Sequence, residues 1–143
     1  MESIPYSGTM ELVFISLEED DLLMESIRQS CREQNIRHGI ILSGAAAIKK
    51  ARVHYIAHTT YPPNDVIHTV EAPFEMSAIG GIIVDYEPHV HIALMQGENE
   101  AAGGHLEDGT VVAYRGELAV MKCNDAPLKR EKNEKGVPIL RSI

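Results

Sequence analysis

Residues 89–112 read HVHIALMQGENEAAGGHLEDGTVV. In an extended chain, side chains two residues apart share a face. His89 and His91 therefore point one way, while Val90 and Ile92 point the other. Thirteen residues separate His91 from His105, which stands behind the pair Gly103-Gly104 at the start of the next apolar stretch. A hairpin-like return over that interval brings the third imidazole beside the first two. Glycine suits such a return, because it tolerates backbone angles and close chain approaches that a side chain forbids.

Working outward, β-type runs recur along most of the chain: HGIILSG (38–44), IKKARVHYIAH (48–58), DVIHTVE (65–71), FEMSAIGGIIVD (74–85) and TVVAYRGELAVMK (110–122). Gly, Pro, Asn and Asp punctuate them. TMELVFISL (9–17) reads as a further strand. One segment is helical in character. Ser16 and Glu19 form an S-x-x-E capping box, and Glu18, Asp20 and Asp21 put negative charge at an electropositive helix start. Leu23, Ile27 and Cys31 then recur at four-residue spacing as one apolar stripe, which predicts a helix to about Asn35. Strands in series with a single main helix predict an α+β fold with a mainly antiparallel sheet. The stretch 124–143, NDAPLKREKNEKGVPILRSI, reads as a polar tail: a solvated charged loop, a turn at Gly136 and a short strand at VPIL.

At 143 residues the chain has the length of one domain, 1–143, able to bury its own core. No apolar run approaches the roughly 20 residues of a membrane span, and the first residues lack a basic stretch leading into an apolar one, so a cytoplasmic protein is expected. A formal net charge of −8 repels phosphate backbones and weighs against unaided nucleic-acid binding. Cys31 and Cys123 have no C-x-x-C partner and read as buried free thiols.

Three neutral imidazoles, His89, His91 and His105, suit a divalent metal, zinc first. Three protein ligands leave a coordination position open, the pattern of catalytic zinc, which admits hydrolysis or polarisation of a carbonyl. Carboxylates are expected to orient such imidazoles. Glu117 and Glu75 are put forward for this, with Glu107 and Asp108 also near in sequence. The same spacing also fits histidines that simply bond to carbonyls or carboxylates on a half-buried strand. His54 and His58 read as edge or surface residues, and His38 and His68 have no partner in sequence. No G-x-S-x-G elbow, phosphate-binding P-loop or dinucleotide-binding glycine motif is present.

The H-x-H pair followed by Gly-Gly-His-Leu and a further Gly resembles the PPC domain, also called the DUF296 or PD1-like DNA-binding family, in its prokaryotic single-domain form. ILSGAAAIKKARVHYI (41–56) and FEMSAIGGIIV (74–84) extend the likeness through most of positions 8 to 123. The resemblance implies a curved antiparallel sheet with one main helix, assembled as a homotrimer. Plant relatives bind DNA through a separate R-G-R-P hook. This chain has none, and its basic pieces are KKAR and LKREKNEK. The fold is similar to that of acetolactate decarboxylase, whose zinc site is also an H-x-H pair plus a third histidine, and the matching positions are His89, His91 and His105.

Three readings follow. One is a trimeric metal-binding domain with hydrolase or lyase chemistry on a small metabolite. The second is a DNA-binding regulator, and the third a non-catalytic trimeric module whose histidines hold an interface.

Overall fold

A computed structural model describes residues 1–143. The elements are β1 (Met10–Glu18), α1 (Leu23–Glu33), β2 (His38–Ile56), β3 (Asp65–Val84), β4 (Glu87–Gln96), β5 (Glu100–Leu106), β6 (Val111–Cys123), β7 (Leu128–Lys132) and β8 (Pro138–Ser142). Eight strands and one short helix make an α+β fold that is mostly β.

Six strands form an antiparallel sheet in the order β1-β6-β2-β3-β4-β5. The first part of β2 pairs with β6, and its far end turns to β5 at Val53 and His54. Strands β2, β3, β4 and β5 therefore curl into a closed ring. Inside lies the alternating apolar set that includes Val53, Ile79, Val90, Ile92, Leu94 and Leu106, all buried.

Two pairs of runs that read as separate strands are single long ones, β2 of 19 residues and β3 of 20. SGAAA does not break β2, because register shifts between Ile41 and Ser43 and between Ala46 and Ile48 absorb the irregularity within the sheet. Its small residues are required by close approach. A Cβ on Gly44 would stand 2.3 Å from the Leu118 side chain and 2.9 Å from the Glu117 carbonyl oxygen.

The helix starts later than the capping box predicts. Ser16 lies in β1, paired with Glu117, so it cannot cap a helix. The chain reverses instead at Asp20, with φ of 71°, and the Asp21 carboxylate accepts the Glu18 N–H at 2.8 Å. The Leu23 N–H donates to the Thr110 carbonyl at 2.9 Å, and Leu22 bridges to Val111, so contacts with the start of β6 place the helix. Its apolar stripe behaves as the spacing predicts: Leu23, Met24, Ile27 and Cys31 are buried in the core cluster. Each large aliphatic residue there contributes about 1.5–3 kcal/mol. Cys31 and Cys123 are free and buried, and burial pushes the Cys31 thiol up to about 11.

Residues 128–142 form a β7–β8 hairpin, so the charged run is a paired strand rather than a loop. Asn133 closes the turn, its side-chain oxygen accepting the N–H groups of Lys135 and Val137, with Gly136 at φ of 78°. Pairing with Pro138–Ser142 outweighs the charge pattern, and Pro138 and Leu140, two apart on β8, give the hairpin one apolar face. No helix is long and apolar enough to cross a membrane.

Candidate metal centre

Directly opposed residues of antiparallel strands carry their side chains on the same face. Along one such row the sheet sets His54 of β2 against His105 of β5, His105 against His91 of β4, and His91 against Gly80 of β3. His89 lies two residues before His91, beside Ile82. The ring closure of β2 on β5 thus gathers four imidazoles on the outer face of the sheet. The facing glycine leaves space next to His91, since a Cβ on Gly80 would meet nothing within 4 Å.

Ligand atoms of His89, His91 and His105 all lie within 4.8 Å of one another, and His54, His105 and Glu107 form a second such group that shares His105. The His89 and His105 ring centroids are 4.8 Å apart, and His91 stands 5.4 Å from each of them. His54 stacks on His105 at 4.3 Å between centroids. Its Nδ1–H donates to the Glu107 carboxylate at 2.5 Å, which fixes the plane of the ring against which His105 rests.

Gly103 and Gly104 make the delivery possible. Their φ values, 157° and 148°, lie outside the range side chains favour. A Cβ on Gly103 would fall 2.3 Å from the Ile92 carbonyl oxygen, and one on Gly104 2.5 Å from that of His54. Strand β5 is thus pressed between β4 and β2 where only glycine fits, and His105 follows immediately.

Glu75 and Glu117 do not approach the histidines. Both line a separate cavity with Tyr114 and Arg115, because Glu75 pairs with Met95 and Glu117 with Ala45, well along the strands from the histidine row. Two carboxylates stand against the cluster through His54, Glu107 at its Nδ1 and Asp65 at 3.9 Å from its Nε2, while Asp108 is held by Arg28 at 3.1 Å. His54 is the residue that sequence reading misplaced at an edge. Its partners come from the β2–β5 pairing, a contact across more than fifty positions that no local spacing signals. His58 and His68 are exposed and outside the group, and His38 is buried elsewhere.

Burial and neighbouring charge favour the neutral forms of His105 and His89. Burial first, then His54, His89 and His91, press His105 down to about 4. Burial, then Arg130, His91 and His54, also lower His89, and burial lowers His38. Between a depressed folded-state value and the ordinary one of about 6.5, the unfolded chain binds more protons, so stability is full above about pH 6.5 and falls toward about pH 4. Metal-free protein should therefore lose on the order of 1–3 kcal/mol over that window in urea titrations. His105→Asn should flatten the slope. An unchanged slope would show that His105 titrates alike in both states.

Comparison with known proteins gives the family and the fold. The Plants and Prokaryotes Conserved (PCC) domain matches residues 5–124. A metal-containing protein from Archaeoglobus fulgidus superposes with a TM-score of 0.82 at 20% identity, covering 99% of this chain and 100% of that one. A plant- and prokaryote-conserved (PPC) protein from Pyrococcus horikoshii gives 0.81 at 20% identity, with 100% and 99% covered. A protein from Bacteroides thetaiotaomicron, named as a candidate DNA binder, gives 0.79 at 20% identity, with 96% of each covered. No functionally curated protein matches the chain. The curled antiparallel sheet, the single helix and a domain match that runs from residue 5 through the end of β6 together make this chain a member of the Plants and Prokaryotes Conserved (PCC) domain family.

Proposed function

We propose that this protein is a cytoplasmic, homotrimeric metal-binding domain that holds one divalent ion, zinc by its donor chemistry, on His89, His91 and His105. It offers an open coordination position to a small-molecule ligand. The observation that carries this reading is the convergence of those three imidazoles, from two paired strands, to within 4.8 Å on an accessible face. Neutral nitrogen donors without thiolate suit zinc and the later first-row ions. The solved neighbour named as metal-containing supports the reading. When bound, zinc would polarise a carbonyl or activate water, which suits hydrolase or lyase chemistry on a small metabolite. The chain's own part is to fix His105 through its stack on His54, and to hold a proton on His54 Nδ1 against Glu107.

Elemental analysis of protein purified without chelators tests this. About one zinc per chain is expected in wild type and in His38→Ala, and well under half of that in His105→Ala. Metal-free wild type would leave the histidines as packing residues.

An apolar band on the same outer face supports the trimer reading. Leu12, Met121, Ile40 and Ile82 follow one another across β1, β6, β2 and β3, and Ile82 stands opposite His89. Leu12, Ile40, Ile82 and the nearby Phe14 are between 41% and 75% exposed, a run of large apolar side chains that favours association between chains. Light scattering should give about 47 kDa from chains of 15.8 kDa, and a 15.8 kDa particle would remove the claim. The DNA-binding reading is favoured by the name of the Bacteroides neighbour, but a net charge of −8 and the missing hook leave it the weaker of the two.

A further inference from the structure

The β7–β8 hairpin folds back beside the histidine face and forms with it an open cleft of about 390 Å³ lined by His89, His91, Arg130, Ile82, Pro138 and Leu140. Arg130 reaches it from the hairpin. Its two terminal nitrogens donate to the carbonyl oxygens of Glu87 and Ile82 at 3.3 and 3.1 Å. These bonds pin the guanidinium at the cleft wall and use two of its five N–H groups. No carboxylate lies within ion-pair distance of it. The Glu87 side chain, the nearest acid in sequence terms to its anchor, is committed to Arg28 at 3.1 Å. Glu87 acts on Arg130 only from beyond ion-pair distance, and burial outweighs that attraction, so a half-buried cation beside two imidazoles gains from an anion placed directly against it.

We propose that Arg130 is the anion-binding half of this site, and that the ligand is a small monocarboxylate with a short apolar body. The carboxylate sits on the free edge of the guanidinium, as a planar fork favours. The body lies against Ile82, Pro138 and Leu140, and the other end faces His89 and His91. One guanidinium, with no lysine among the lining residues, balances a single negative charge rather than a phosphate dianion. Gly80 supplies the room. Only the metal at the far end of the ligand rests on the function proposed above; recognition by Arg130 does not.

Calorimetry with butyrate, butyramide and inorganic phosphate, on zinc-loaded and on metal-free protein, tests the proposal. Butyrate should bind wild type about tenfold or more tightly than either butyramide or phosphate. Arg130→Met should lose about tenfold or more in butyrate affinity while keeping wild-type zinc content. Because Arg130 also anchors the hairpin, Gly80→Val gives an independent arm. It fills the cleft from a position where a Cβ meets nothing, and should abolish butyrate binding with little change in melting temperature. Equal butyrate affinity in wild type and both variants, or no preference over butyramide, overturns the proposal whether or not zinc is bound. Tighter phosphate than butyrate binding overturns the monocarboxylate assignment. Absence of zinc in wild type overturns the metal reading alone, since the butyrate arms are still read on metal-free protein.

Discussion

Metal-free protein titrated with zinc is expected to melt about 8–16 °C higher at saturation, and His89→Ala, His91→Ala or His105→Ala should each remove most of that rise. The magnitude follows from mass action. An ion that binds only the folded state, at a free concentration about a thousandfold above its dissociation constant, stabilises that state by about 4 kcal/mol. A domain of this length gains about 2–4 °C per kcal/mol. The three residues act together because the unfolded chain separates what the β4–β5 register brings into line, His91 against His105 with His89 two positions away. His38→Ala supplies the control. Its side chain is 2% exposed and the substitution lowers the melting temperature by itself, yet the rise on adding zinc should persist. A zinc-independent melting curve in wild type would leave the apolar band and the cluster as features of an interface.

Gly104→Ala is expected to cost about 3 kcal/mol or more in urea unfolding and to lower zinc occupancy with it. The methyl group would fall 2.5 Å from the His54 carbonyl oxygen, on a backbone whose φ of 148° already disfavours a side chain. Relief requires β5 to move away from β2, and that separation dissolves both the His54–His105 stack and the alignment of His105 with His91. Gly80→Ala is the matched comparison. It lies in the same sheet, faces the same site and meets no atom within 4 Å, so its stability should change by no more than about 0.5 kcal/mol. Similar stability for the two variants would mean that β5 is not clamped by its neighbours.

Local spacing was enough to establish part of this protein. Period-two alternation along HVHIALM sends Val90, Ile92 and Leu94 inward and His89 and His91 outward, and the structure keeps that division. Four-residue spacing along Leu23, Ile27 and Cys31 marks the one helix that covers the sheet. These are short-range properties: the geometry of a strand or helix alone decides which side chains share a face. The H-x-H and Gly-Gly-His pattern was also legible as a family signature, which the match over residues 5–124 confirms.

What tertiary structure decided lies in the pairings between distant strands. Ser16 and Glu19 read as a capping box until β1 pairs with β6 and carries Ser16 into the sheet. Glu75 and Glu117 are as near in sequence as many true neighbours, but strand register takes them to another cavity, while Glu107 reaches the cluster through His54. The hairpin that aims Arg130 at His89 and His91 reads, residue by residue, as a charged tail. Each of these contacts joins segments far apart in the chain. Periodicity says which face a residue occupies, whereas register says what stands opposite it. Register is fixed only when the whole sheet closes, here by the return of β5 to the far end of β2.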